Sequence, residues 1–278
     1  MSQHDLYERF LALHQRPNAF VMPNAWDGGS ALFMKEAGFE SLGTSSAALA
    51  ASLGRVDGRH TVSREEHLAH AQLLTRITGL PVNGDFEDGY GDTPDDVAAT
   101  VKAAIDAGLA GIGIEDTSGN PGKPIRDFDE AVARVAAAAK VAKVAKGKIV
   151  LTGRTDNYLH GRPDLDDTIR RLTAFADVGA DVLYAPYPSD MSHVVAIVKA
   201  VAPKPVNLVV GTMAGTVPLA ELQAAGVKRV SMGASLYMRM LGDLRRAMEQ
   251  LKAGDLAKGA EGASFGELVK LLTAAPEA

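Results

Sequence analysis

Leu80-Pro81-Val82-Asn83-Gly84-Asp85-Phe86-Glu87-Asp88-Gly89-Tyr90-Gly91 is a short apolar run that breaks into three carboxylates and two glycines before Thr93-Pro94 opens a helix. It reads as a buried strand ending in a tight loop, one strand–loop–helix unit. Acids crowded at the end of a strand need a cation, so the stretch reads as half of a Mg2+ site. Taken alone, a solvated acidic turn built on Asp88-Gly89 accounts for it equally well.

Outward from this stretch the same unit recurs. Strands are expected over residues 19–22, 41–44, 82–86, 111–115, 149–153, 181–184, 206–210 and 228–232. Helices are expected over 30–37, 64–78, 94–107, 128–144, 165–178, 191–201, 218–225 and 235–253, with a leading helix over 5–15. Glycine follows several helix ends (Ala37-Gly38, Ala107-Gly108, Ala225-Gly226), as a C-cap should. Apolar strands each followed by an amphipathic helix require a parallel sheet covered on its outer face. Eight such units in 278 residues predict an α/β chain folded as a single (β/α)8 TIM barrel domain over 1–278, a doubly wound open sheet being the weaker alternative.

The chain has no cysteine, 46% hydrophobic and 23% charged residues, and a net charge of −5. Thiolate metal sites, disulfides and a thiol nucleophile are therefore excluded. With no clustered basic stripe, nucleic acid is not expected as a partner. No apolar stretch reaches spanning length and no signal-like start is present, so no membrane partner and a cytoplasmic location are expected.

In a barrel of this kind active groups gather at the carboxyl ends of the strands. That rule collects Asn24 and Asp27, Thr44-Ser45-Ser46, Asp57, Asp85, Glu87 and Asp88, Glu115 and Asp116, Arg154 and Asp156, and Asn207. Oxygen ligands without a His/Cys set select Mg2+ or Mn2+ over Zn2+. His67 and His70 lie one turn apart with no zinc-protease Glu and are expected on an exposed helix face. Trp26 is expected to cap the rim of the barrel by packing. His160 reads as a surface loop residue or, alternatively, a substrate contact. The glycines of residues 211–215 and Gly233 suit either a phosphate site or plain turns.

Read in order, Glu36-Ala37-Gly38-Phe39, Ser45-Ser46, Leu53-Gly54 with Asp57, Asp85-Phe86-Glu87-Asp88-Gly89-Tyr90-Gly91, Ile114-Glu115-Asp116 and Arg154-Thr155-Asp156 resemble the isocitrate lyase/phosphoenolpyruvate mutase superfamily. The resemblance runs from about Asn18 to Tyr237. It implies a Mg2+-dependent barrel that cleaves or forms C–C or P–C bonds of 2-oxo and 2-hydroxy acids. It also implies a homotetramer with a C-terminal helix swapped between subunits. By motif position Asp85 would ligate the metal directly, with Asp57, Glu87 and Glu115 acting through water. Ser45 and Ser46 would hold the substrate carboxylate or 2-oxo oxygen, and Arg154 would pair with substrate anion; Asn120 and Asn207 complete the expected substrate contacts.

The departures narrow the expectation. Where lyases of this family carry a Lys-Lys/Arg-Cys-Gly-His lid, this chain has Thr117-Ser118-Gly119-Asn120-Pro121-Gly122-Lys123-Pro124, expected to be mobile because little apolar anchors it. Tyr184-Ala185-Pro186-Tyr187 replaces the Glu expected after the sixth strand. The reading is a Mg2+-dependent carbon–carbon lyase acting on a small 2-oxo acid, oxaloacetate decarboxylase-like, through a metal-stabilised enolate. Alternatives are phosphonopyruvate mutase or hydrolase chemistry, 2-methylisocitrate lyase-like activity, and a non-catalytic metabolite-binding barrel.

Overall fold

The structure, a computed structural model, describes residues 1–144, 148–211 and 214–276. Strands β1 (Phe20–Met22), β2 (Leu42–Gly43), β3 (Val82–Asp85), β4 (Gly111–Glu115), β5 (Val150–Arg154), β6 (Val182–Tyr184), β7 (Val206–Val209) and β8 (Val227–Ser231) alternate with helices. The helices are α1 (Gln3–Gln15), α2 (Gly28–Glu36), α3 (Ser46–Ser52), α4 (Arg64–Thr78), α5 (Pro94–Asp106), α6 (Phe128–Ala142), α7 (Leu165–Asp177), α8 (Met191–Val201), α9 (Leu219–Ala224), α10 (Ser235–Lys252), α11 (Leu256–Gly259) and α12 (Phe265–Ala274). All strand pairings are parallel, in the order β1-β8-β7-β6-β5-β4-β3-β2. This is the expected (β/α)8 barrel.

Closure between β1 and β2 uses a single bridge, Asn24 to Gly43. The Asn24 amide donates to the Thr44 carbonyl at 2.5 Å, and its oxygen accepts from the amides of Met232 and Gly233 at 2.9 Å. Asn24, collected above as a strand-end group, is thus a clasp across β1, β2 and β8. A side chain at Gly43 would put its Cβ 2.6 Å from the Asn24 amide nitrogen, so only glycine permits the clasp.

Helix α1 plugs the amino end of the barrel. Its Leu6, Phe10 and Leu13 pack on Met22, Ala110, Val150 and Val182, and Gln3 donates to the carbonyls of Leu109 and Lys148 at 2.8 and 2.7 Å. Full burial of Phe10 contributes roughly 2–3 kcal/mol, and a Cβ on Gly111 would meet its ring at 2.5 Å. The main apolar core lies between the outer face of β3–β6 and helices α5–α8, around Leu109, Ile112, Ile114, Leu151, Phe175 and Leu183.

One expectation is corrected. The His67–His70 face of α4 is not exposed: His67 is buried and its Nδ1 meets the Tyr90 hydroxyl, because α4 turns that face toward Phe86 and Tyr90. Helices α3 and α11 lie in stretches for which no helix was expected. After β8, α10 leaves the barrel wall with only Tyr237 buried, and α12 returns to lay Leu271 against the cluster that contains Leu32 of α2. Trp26 packs edge-on against Tyr237, 5.5 Å between rings, as a rim cap should.

Candidate active site

Strands β3, β4 and β5 end on the same side and their last residues meet, with Thr44 and Ser46 just beyond β2 beside them. Asp85, the last residue of β3, has its backbone fixed by its own amide donating to Thr44 Oγ1 at 2.8 Å. Both the amide and the hydroxyl of Ser46 donate to its Oδ2 at 3.1 Å, and Arg154 Nη1 donates to Oδ1 at 3.3 Å. Glu115, the last residue of β4, accepts from the Thr117 hydroxyl at 2.7 Å and lies 3.0 Å from the same Arg154 Nη1. Ser46 also reaches Asp57, which arrives from the loop before α4. Above these groups lies a cavity of about 500 Å³, walled by Ser46, Asp57, Glu115, Asn120 and Arg154 and by His160 on the far side.

The acids of this region divide into two sets. Asp88 is saturated by Arg126 Nη2 at 2.7 Å, His60 Nε2 at 2.8 Å and the Tyr90 amide at 3.0 Å, and its carboxyl is held below its ordinary pKa despite burial. Asp156 takes two bonds from Arg154, and Asp116 takes Arg171, the Thr155 hydroxyl and the Asp156 amide, although burial still lifts Asp116 to about 6. The second set has fewer protein cations than it has charge. Asp57 is raised by burial and by the Asp85 charge. Glu87, set in the left-handed region at φ 48°, is pushed to about 7 by burial and Asp57. Glu115 is raised by burial in spite of Arg154. A carboxylate raised in this way lacks a counter-charge. The under-compensated acids are Asp57, Glu87 and Glu115, three of the four expected around a metal; the fourth, Asp85, is held by Ser46 and Arg154.

That donor set fits a hard divalent cation. Among the described residues no three acids or histidines converge to hold an ion by themselves. Mg2+ does not require it, because it commonly keeps most of its waters and takes one or two direct carboxylates.

Other expected contacts fall elsewhere. Ser45 is buried as the N-cap of α3, its hydroxyl accepting from the Ala48 amide at 3.3 Å, so it faces the helix and not the cavity. Asn207 does not line the cavity: its amide is spent inside the barrel on Ser231 Oγ at 3.0 Å and Arg229 Nε at 2.8 Å. Arg229 also reaches Thr152, two residues before Arg154 on the same face of β5, so Asn207 belongs with the layer beneath the site. Residues 117–125 form a tight hairpin, with Ser118 and Pro124 paired at 2.8 Å and the Asn120 side chain accepting from the Gly122 amide at 2.9 Å. Of the stretch 211–215, Thr212 and Met213 lie outside the described residues.

Sequence reasoning missed Arg59, which shares the cavity wall, Tyr184, whose ring lies 5.3 Å under the Arg154 guanidinium, and Arg126, which anchors Asp88. Arg59 carried a signal in its place two residues after Asp57, and Tyr184 in its place at the end of the sixth strand; Arg126 carried none.

Residues 10–252 match the sequence profile of the phosphoenolpyruvate phosphomutase family. The chain belongs to that family. Within the phosphoenolpyruvate phosphomutase family and its isocitrate lyase superfamily, it is 31% identical over 277 residues to an oxaloacetate decarboxylase of Paraburkholderia xenovorans, covering 97% of this chain and 90% of the relative. It is 32% identical over 192 residues to 2-methylisocitrate lyase of Escherichia coli, covering 66% and 63% of the two chains. A solved structure from Burkholderia cenocepacia, described as a candidate lyase/mutase, superposes with TM-score 0.93 at 43% identity, covering 98% of this chain and 97% of the other. Membership in this family of lyases and mutases makes the chain an enzyme.

Proposed function

We propose that this enzyme is a divalent-metal-dependent carboxy-lyase acting on a small 2-oxo acid of the oxaloacetate type. The observation that carries the reading is the set Asp57, Glu87 and Glu115, acids short of counter-charge around Asp85 and beside a 500 Å³ cavity whose hairpin wall holds no thiol. Bound Mg2+ or Mn2+ would supply Lewis-acid polarisation of the 2-oxo group and of the enolate oxygen. Asp85 would be its direct protein ligand, with Asp57, Glu87 and Glu115 holding its waters. Ser46 orients Asp85 from above through its amide and hydroxyl. Arg154 offsets the charge of Asp85 and Glu115 from below, stacked on Tyr184. The hairpin 117–125 covers one side of the cavity and limits water at the reacting carbon.

Cleaving isocitrate or 2-methylisocitrate leaves a dicarboxylate carbanion that must be protonated in place, and the chain has no cysteine to do so. Decarboxylation leaves an enolate that can take its proton from water after release. Oxaloacetate or a related 2-oxo acid is therefore expected to turn over, with isocitrate and 2-methylisocitrate at least about 10³-fold poorer in kcat/KM. Assays with Mg2+ that follow pyruvate, glyoxylate and succinate separately test this. Efficient glyoxylate release from isocitrate overturns it, and phosphonopyruvate turnover in place of oxaloacetate turnover would point to P–C chemistry in the same pocket.

Helix α10 is the proposed contact between copies in a tetramer. It exposes Met238, Leu244 and Met248 and leaves the barrel, which suits a swapped helix. Light scattering coupled to gel filtration measures the assembly directly.

A further inference from the structure

We propose that Arg59 is the specificity-determining residue of the site and receives a second, distal anionic group. The ligand class is then a short dianionic acid and not a monocarboxylate. The inference rests on the 2-oxo acid reading of the pocket and adds the group that selects among such acids.

The cations around the cavity differ in what already holds them. Arg154, the cation expected to pair with substrate, has Nε and Nη2 on Asp156 and Nη1 shared between Asp85 and Glu115. Arg126 is spent on Asp88, Glu130 and the Thr117 carbonyl. Lys123 pairs with Asp127 at 2.5 Å. Arg59 stands in the cavity wall and makes no hydrogen bond or ion pair among the described residues. It also lines an adjoining cavity of about 350 Å³, and Gly119 and Pro121 of the hairpin line both. Arg59, exposed to solvent, therefore sits where the two spaces meet, beside the hairpin.

The loop that carries Arg59 is held. Gly58 and His60 on either side are both left-handed, at φ 74° and 50°, a conformation unfavourable for histidine that persists only where the surroundings enforce it. His60 Nε2 is fixed on Asp88 Oδ1 at 2.8 Å, its ring lies 4.9 Å from that of Tyr90, and Arg55 secures the far side through the Thr61 carbonyl at 3.0 Å. The cost falls on His60, since glycine takes this conformation freely, and it has a use if it turns the neighbouring guanidinium into the cavity. A guanidinium without a carboxylate, among walls otherwise rich in carboxylates, is a receptor for an anion brought by the ligand.

The test uses the full chain loaded with Mg2+ and two stable probes that differ in one carboxylate, L-malate and L-lactate, with binding followed by calorimetry. Wild type is expected to bind malate more tightly than lactate. Arg59→Ala and Arg59→Gln should weaken malate about 10- to 100-fold, the scale of one charge-assisted hydrogen bond, and leave lactate within about twofold. Arg59→Lys should fall between, and the difference should survive 0.3 M KCl, which screens a distant charge but not a contact. Equal losses for both probes, no loss for malate, or no wild-type preference for malate overturns the proposal. If malate binding depends on Arg59 but oxaloacetate is not turned over, the carboxy-lyase reading fails and this one stands. Turnover indifferent to Arg59 gives the reverse.

Discussion

Arg154 grips Asp156 through two parallel hydrogen bonds, Nε to Oδ1 at 2.6 Å and Nη2 to Oδ2 at 2.7 Å. The fork that the sequence suggested for a substrate anion is thus closed on a neighbouring strand-end acid. What remains of the guanidinium, Nη1, balances Asp85 and Glu115. Lysine can supply the charge but not both ends of the fork. Arg154→Lys is expected to lose about 10²-fold in kcat/KM, roughly 2.7 kcal/mol. Since Arg154 acts as a unit with Asp156, Asp156→Asn should cost a similar factor and the double variant little more than either. Steady-state kinetics on the four proteins measure this, and additive losses would mean that the two residues act separately.

Asp85 differs from its neighbouring acids in being held by both Ser46 and Arg154. Asp85→Ala is expected to abolish Mg2+ or Mn2+ binding and activity together, because a single direct carboxylate leaves no redundancy. Asp57→Ala and Glu87→Ala, which would act through water, should weaken metal affinity about 10- to 100-fold. Titration with Mn2+ followed by electron paramagnetic resonance reads affinity without reference to turnover. Unchanged Mn2+ affinity in Asp85→Ala would remove it from the ligand set.

Some of this was open to the sequence because it rests on local chemistry. The alternation of apolar strands with capped helices fixes the barrel, and Asp85, Glu115 and Arg154 each end a strand where the reading put them. Pairing is a different matter. Asp57, Glu87 and Asp88 look alike in sequence, and the approach of His60 and Arg126, some thirty and forty residues away, makes Asp88 a structural acid. Ser45 and Ser46 are adjacent, but the helix that starts between them turns one hydroxyl to cap duty and the other to Asp85. Helix α3 itself is alanine and serine around a single leucine, Leu49, with no polar face to mark it. Asn207 was named from its place near a strand end, yet the ladder sets it opposite Arg229, with the β7–β8 register shifting at Val206/Asn207.

Arg229 is fully buried, among the described residues no carboxylate pairs with it, and burial lowers its pKa to about 10. Its Nε depends on Asn207 Oδ1 at 2.8 Å. Asn207→Ala is expected to cost about 1–3 kcal/mol of stability, the penalty for a buried donor left without its acceptor, with KM changed less than twofold. Urea unfolding and kinetics on one preparation separate the two; a raised KM with unchanged stability would return Asn207 to the substrate contacts.

The same buried layer makes stability depend on pH through His14. Its Nδ1 is 2.8 Å from the Phe10 carbonyl, so Nδ1 carries the hydrogen and Nε2 is left to accept from Arg229 Nη1 at 3.4 Å. Burial first, and then the charge of Arg229, lower its pKa from 6.5 to about 3. The folded pKa lies below the unfolded one, so between those values the unfolded chain binds a proton that the folded chain refuses. Stability from this residue is therefore complete above pH 6.5 and is lost as pH falls toward 3. At pH 5 the loss is about 2 kcal/mol, near 1.5 pH units at 1.36 kcal/mol each. His14→Gln keeps a donor for Phe10 without a titrating group. Urea unfolding of both proteins at pH 7.5 and pH 5 cancels the carboxylates common to them, and wild type is expected to lose about 2 kcal/mol more than the variant. Equal losses would mean that His14 takes up its proton in the folded chain beside Arg229, and that the buried layer is open to water.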